Sequence, residues 1–185
     1  PDVIINAAAY TAVDKAESEP DLAMIVNGIA PGVIAKEAKK IGATVIHYST
    51  DYVFDGKATS PYKEENPTYP LSVYGNSKLA GEQAVTQAGI PHIIFRTSWV
   101  YSLRGGNFLT TIQKLAQTRK QIKVVDDQTG TPTSARAIAE STTHILGQGL
   151  NAGTTKSSIF SHPGIFHISC GGETNWFSFA KTIIK

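Results

Sequence analysis

The sequence predicts an α/β fold built on a doubly wound parallel sheet, and three observations carry that prediction. Short apolar, β-branched runs alternate with stretches of helical periodicity. Gly, Pro and Asn clusters separate them. Ser49-Thr50-Asp51 places two hydroxyls and a carboxylate where the second strand ends, which is where open α/β sheets hold their ligands.

Taken in order, Val3-Ile4-Ile5-Asn6-Ala7-Ala8-Ala9 is a buried-strand pattern with no cap or turn before it. Asp21 to Lys40 is helical, with Ala23, Val26, Ile29, Val33, Ile34 and Ala38 near helical spacing, a break expected at Pro31 and Gly42 as terminator. Thr44 to Tyr48 is the second strand. The segments Phe54-Asp55-Gly56 and Asn66-Pro67-Thr68-Tyr69-Pro70 are loop, and Ser72 to Ala88 is the next helix, closed by Gly89. His92 to Thr97 is a strand, Asn107 to Arg119 a helix, Ile122 to Val125 a short strand and Ser134 to Leu146 a helix. A polar loop over Gly147 to Ser161, a strand over Phe166 to Ser169 and a helix from Trp176 to Lys185 with no stop signal complete the reading. Strands alternating with helices imply parallel βαβ units. The abrupt ends mark the chain as a piece of a longer protein.

The bulk properties narrow the function. At 185 residues, 41% hydrophobic and 17% charged, the composition is that of a globular protein with one core. Seventeen basic against 15 acidic residues, with no basic run longer than Lys39-Lys40, leave no electrostatic footprint for nucleic acid. No apolar stretch reaches the roughly 18 residues of a membrane helix, and no signal peptide opens the chain, so a cytoplasmic location is expected. The single cysteine, Cys170, excludes an internal disulfide framework and reads as a core thiol. His47, His92, His144, His162 and His167 show no metal-ligand spacing, so no metal site is readable.

Tyr74-Gly75-Asn76-Ser77-Lys78 carries the chemistry, because a helix places a phenol and an ammonium four residues apart on one face. A phenol has a reference pKa of about 10 and is a poor acid or base at neutral pH unless its phenolate is stabilised. Two unit charges about 4 Å apart interact by roughly 4 kcal/mol at an effective dielectric near 20. Lys78 is therefore expected to draw Tyr74 towards neutrality. The bland reading of the same spacing is an exposed face with a snorkelling lysine. Thr50 supplies a third polar group. Ser49 competes with it, since alternate strand residues face opposite sides and only one hydroxyl can point at a ligand.

Together, Asn6-Ala7-Ala8-Ala9, Tyr48-Ser49-Thr50-Asp51-Tyr52-Val53-Phe54-Asp55-Gly56, Val73-Tyr74-Gly75-Asn76-Ser77-Lys78 and Arg96-Thr97-Ser98-Trp99-Val100-Tyr101 resemble the extended short-chain dehydrogenase/reductase family. Asp126-Asp127-Gln128-Thr129-Gly130-Thr131-Pro132-Thr133 and Phe166-His167-Ile168 with Gly171-Gly172 extend the likeness over the chain. The resemblance is strongest to members that reduce the C4 ketone of a dTDP-linked 6-deoxyhexulose with NADPH or NADH, giving dTDP-L-rhamnose. It implies a Rossmann-like sheet, with Tyr74 as proton donor, Lys78 also on the nicotinamide ribose, and Thr50 on the carbonyl oxygen. It places Ala9, Tyr10, Thr11 and Tyr48 along the cofactor and Asp51 and Trp99 on the nucleotide sugar. Asp51 bonding nearby amides and Trp99 serving the core are the bland alternatives.

The same resemblance implies residues 1–147 as a partial Rossmann-like NAD(P)-binding domain and 148–185 as part of a substrate-binding region. It implies a dTDP-sugar partner and a homodimer. Some members bind magnesium at a subunit contact, but no ligand set for it is readable here, and Arg136 stands where an acidic residue is expected. The glycine-rich turn of a dinucleotide site is absent between the first strand and first helix, so the first βαβ portion is expected upstream. Gly147-Gln148-Gly149-Leu150-Asn151-Ala152 matches the spacing but follows a helix, and counts as chance. The isolated chain is accordingly expected to have little activity. Two other functions keep the same motifs: a non-catalytic regulatory subunit of the methionine adenosyltransferase type, and another nucleotide-sugar reductase or epimerase.

Overall fold

A computed structural model describes residues 1–151 and 163–185. The elements run β1 (Val3–Asn6), α1 (Val13–Ala16), α2 (Pro20–Met24), a π-helical turn (Ile25–Ile29), α3 (Ala30–Ile41), β2 (Thr44–Thr50), a 3-10 turn (Asp51–Val53) and α4 (Val73–Gln87). They continue with β3 (His92–Thr97), β4 (Val100–Tyr101), α5 (Phe108–Thr118), β5 (Thr129–Gly130), β6 (Thr133–Ser134), α6 (Ala135–Asn151), β7 (Gly164–His167), β8 (Thr174–Asn175) and α7 (Trp176–Ile184).

The chain forms two compact units, one of Pro1–Arg96 with Gln148–His167, the other of Thr97–Gly147 with Ile168–Lys185. In the first, a four-stranded sheet has the order β1-β2-β3-β7, with β1 parallel to β2 and β3 parallel to β7. The α/β class and the parallel pairing are as the sequence predicts. One core joins Ala35 and Ala38 of α3 and Val85 of α4 to Val45 of β2 and Ile94 of β3, with Ile4 and Ile165 packed against it. The strands bury near-continuous apolar runs, as parallel strands covered by helices do.

The expected break at Pro31 takes a specific form. Proline has no N–H to give to the carbonyl four residues before it, which is that of Asn27. The helix widens into the π turn immediately upstream, and Pro31 then sits in the first turn of α3. That turn packs on α4 through small residues: a Cβ on Gly32 would lie 2.9 Å from Ala84 Cβ, and one on Gly81 would overlap the Asn27 carbonyl oxygen. Gly81→Ala gains helix propensity of about 1 kcal/mol but drives a methyl into backbone that cannot yield. We expect a net loss of about 1–3 kcal/mol, typical of overpacking, read as a lower urea midpoint. Unchanged or higher stability would show that α4 can move off the π turn freely.

The second unit pairs β4 with β6 in parallel and β5 with β8 antiparallel. Helix α5 starts on a capping box in which Asn107 and Thr110 satisfy each other's end groups. Phe108 of α5 stacks on Phe179 of α7 and lies against Trp176.

Several expectations are corrected. Ile122 to Val125 is not a strand; no ladder partner lies beside it among the described residues, and Val125 O instead accepts a bond from Phe177 N. Gly147 to Asn151 is not loop but the end of α6, and residues 152–162 of the expected loop lie outside the described residues. Cys170 is exposed rather than in a core, because it follows β7 in the turn leading to Gly172, whose φ is +84°. Among the described residues, no helix is long and apolar enough to cross a membrane.

Candidate active site

Strand β2 and helix α4 build the site in the first unit. β2 runs two residues beyond the expected Tyr48, so Ser49 and Thr50 keep the strand alternation. The alternation separates them: the Thr50 hydroxyl is hydrogen-bonded to the Tyr74 phenol, whereas Ser49 Oγ is buried without a partner. Thr50 also caps the 3-10 turn, its Oγ1 accepting from Tyr52 N at 3.2 Å and donating to Asp51 Oδ1 at 3.1 Å.

Helix α4 begins at Ser72, whose Oγ accepts from Gly75 N at 3.0 Å. Gly75 is required there, since a Cβ would overlap the Tyr52 carbonyl oxygen. The helix start can thus sit directly on the turn that holds Thr50 and Asp51. Tyr74 and Lys78 follow on one buried face, and Tyr52 packs edge-on to Tyr74 with ring centroids 5.5 Å apart. Lys78 is 2% exposed, and its Nζ donates to the Tyr48 carbonyl oxygen. The snorkelling alternative therefore does not apply.

The electrostatics differ from the expectation. Burial pushes Tyr74 up to about 12; the bond from Thr50 opposes this, while Asp51 and Tyr52 add to it. Lys78 is pulled down to about 8 by burial, with Glu82 partly restoring it. The ammonium does not draw the phenol towards neutrality, because desolvation outweighs a cation already engaged by a carbonyl. Burial also raises the half-buried Asp51 to about 6, against the bonds from Thr50 and backbone amides.

Asn27, in the π turn, is a residue the sequence reading missed. Its side chain accepts from Tyr10 N at 2.8 Å and donates to Tyr10 O at 3.0 Å and Ser77 Oγ at 3.0 Å. Ser77 in turn donates to the Tyr74 carbonyl oxygen at 2.7 Å. The loop after β1 is thereby tied to the helix that carries Tyr74. In that loop Ala9 and Thr11 are exposed, and the half-buried Tyr10 donates its hydroxyl to Glu19. Glu82 and Arg96 were missed as well: they form a buried bidentate pair between α4 and β3. The usable signal was the spacing of Tyr74, Lys78 and Glu82 at steps of four.

His47, on β2, is fully buried and accepts at Nδ1 from Asn6 Nδ2 at 3.1 Å. Burial and then the Lys78 charge hold its pKa down to about 3. An unfolded histidine takes a proton near 6.5, so between pH 6.5 and 3 the unfolded chain binds more protons and stability falls with pH. His47→Gln is expected to flatten that fall in urea midpoints measured from pH 7 to 4. An equal fall in the variant would assign the acid sensitivity elsewhere.

Trp99 belongs to the second unit. Its φ of +46° is the left-handed region, its indole stacks on Trp176 at 3.6 Å and 12°, and Gly130 is required beside it because a Cβ would overlap the ring. Trp176 Nε1 donates to Gln128 at 3.2 Å. The left-handed backbone of a bulky residue is sustained by these contacts.

Sequence and structure comparisons extend this picture over the whole chain. It is 49% identical over 184 residues to a dTDP-4-dehydrorhamnose reductase of Burkholderia thailandensis, covering 100% of this chain and 61% of that protein. The Escherichia coli (strain K12) enzyme of the same name is 46% identical over 185 residues, covering 100% and 60%. A crystal structure of dTDP-4-dehydrorhamnose reductase from Bacillus anthracis in complex with NADP superposes with a TM-score of 0.88 at 38% identity, covering 99% of this chain and 61% of that one. The fold is thus Rossmann-like, and the chain spans about three fifths of the length of the relatives it matches. The model of the RmlD substrate binding domain matches residues 1–185, and with Thr50, Tyr74 and Lys78 gathered on β2 and α4 the chain belongs to that family.

Proposed function

We propose that the protein carrying this chain reduces the C4 ketone of dTDP-4-dehydro-L-rhamnose to dTDP-L-rhamnose, with NADPH or NADH as reductant and Tyr74 as proton donor. The observation that carries the reading is the bond between Tyr74 and Thr50 on a helix whose next turn presents a buried, fixed Lys78. The names of the relatives supply the substrate class.

The residues present fit the nicotinamide ribose of such a cofactor. Lys78 uses one of its three donors on Tyr48 O, leaving two for sugar hydroxyls. Ala7, Ala8 and Ala9 are exposed and small, which leaves the end of β1 open to a flat ring. When bound, the reduced nicotinamide supplies a hydride to the carbonyl carbon.

This chain's residues supply the rest. Tyr74, protonated throughout the neutral range, holds its proton for the oxygen that gains charge as the ketone is reduced. Thr50 offers that oxygen a second partner in a buried site, where a hydrogen bond counts for more than in water. Asp51 and Trp99 complete the proposed sugar contacts, and Ala9, Tyr10, Thr11 and Tyr48 the cofactor contacts.

The test is NADPH oxidation at 340 nm by the full-length protein with dTDP-4-dehydrorhamnose, parent against Tyr74→Phe. No turnover with this or any nucleotide-sugar ketone would overturn the proposal.

A further inference from the structure

The bonds around Thr50 have a fixed direction. A threonine hydroxyl has one proton and two lone pairs. Tyr52 N–H can only donate, so it occupies one lone pair, and an ionised Asp51 carboxylate can only accept, so it takes the proton. The remaining lone pair faces Tyr74, which must then donate. The hydrogen bond of the phenol is thus directed by a carboxylate it does not touch in the bonds described.

We propose that Asp51 is a positioning residue for Tyr74: by holding the Thr50 proton it makes the phenol keep its own proton, aimed at Thr50, until a ketone oxygen takes that proton. This rests on the reading of Tyr74 as the acid. As the substrate oxygen gains its O–H bond, the Tyr74 O–H bond breaks and a phenolate remains. The Thr50 hydroxyl then turns from Asp51 to the phenolate, and the carboxylate keeps the amide donors of Asp51 and Tyr52. No net proton leaves Thr50 or Asp51. A solvent proton restores Tyr74.

The charged surroundings favour this coupling. Asp51 and Tyr52 are the ionisable groups bearing on Tyr74, and both oppose its ionisation; Asp14 and Asp51 bear on Tyr52. Lys78 is engaged by Tyr48 O and bears on Glu82 and His47. Removing the Asp51 charge withdraws the repulsion on the phenolate and frees the Thr50 proton to stabilise it. Both effects move the phenol titration towards acid.

The test uses the full-length protein with its tyrosines replaced by 3,5-difluorotyrosine, which titrates in an accessible range, and follows Tyr74 by fluorine NMR, its resonance identified by its loss in Tyr74→Phe. Asp51→Asn is expected to shift the Tyr74 titration acidward by about one unit. In a Thr50→Val background the same substitution should give less than half that shift, and Thr50→Ser should restore it. Equal shifts with and without the Thr50 hydroxyl, or none in either, would overturn the proposal. With substrate, Asp51→Asn should move the alkaline limb of kcat/KM in the same direction with KM little changed. A raised KM with an unmoved profile would make Asp51 a direct substrate contact and overturn it. If Tyr74→Phe leaves turnover intact while the NMR coupling persists, the bond relay stands and the reading of Tyr74 as acid falls.

Discussion

Tyr74→Phe is expected to lower kcat for reduction of the nucleotide-sugar ketone by about 10²- to 10⁴-fold, the usual contribution of a positioned acid. KM should change little, because the phenol acts on charge that develops only in the transition state. The substitution is suited to the question. Phe keeps the ring that packs edge-on to Tyr52, and it removes only the oxygen bonded to Thr50. Thr50 retains Tyr52 N and Asp51 as partners, so no buried hydroxyl is orphaned. The urea midpoint should therefore stay within about 1 kcal/mol of the parent, the net contribution of one hydrogen bond. A loss of activity accompanied by a large loss of stability would point to a packing role instead.

The direction of the Tyr74 pKa sharpens this expectation. A phenol pushed up to about 12 is fully protonated at neutral pH, so it is charged as an acid before substrate arrives. It is also a weak acid, and the reaction must wait until hydride transfer makes the substrate oxygen basic. Reduction should then show a solvent isotope effect on kcat that Tyr74→Phe abolishes.

Local patterns made the scaffold legible. Strand periodicity, the Gly42 and Gly89 terminators and the four-residue spacing of Tyr74 and Lys78 each depend on neighbours in sequence, and each has its counterpart in the fold. Alternation posed the choice between Ser49 and Thr50 but could not make it; the answer depends on which face α4 covers. The Lys78 effect on Tyr74 was misread for the same reason, since helical spacing brings two groups to one face without revealing how deeply that face is buried. Ile122 to Val125 has strand composition, yet a strand needs a partner, and none lies beside it among the described residues. Asn27 was hidden because its bonds reach 17 residues back to Tyr10 and 50 residues on to Ser77.

The pair of Glu82 and Arg96 carries the second large effect. Arg96 Nε and Nη2 donate to the two Glu82 carboxylate oxygens at 2.9 and 2.7 Å, with side-chain exposures of 5% and 2%. Arg96 also donates to Glu64 O at 3.3 Å and lies 5.1 Å from the Phe54 ring centroid. Removing one partner leaves the other charge buried and unpaired, so Glu82→Leu or Arg96→Met alone should cost about 3–5 kcal/mol in urea unfolding. The double variant should cost far less, because an apolar pair of similar volume carries no desolvation penalty. Equal losses in the single and double variants would show that packing, and not the unpaired charge, sets the cost. The same series separates stability from chemistry. Glu82 lies one turn beyond Lys78 and its charge supports the ammonium, whose pKa burial already lowers to about 8. In the double variant that support is gone, so Lys78 should lose its proton at lower pH than in the parent. A refolded, stable double variant is therefore expected to remain impaired at pH 8 and to regain activity as the pH falls towards 7, provided that the Lys78 ammonium is the working form. Activity that tracks stability alone, with no change in its pH dependence, would assign Glu82 a purely structural role.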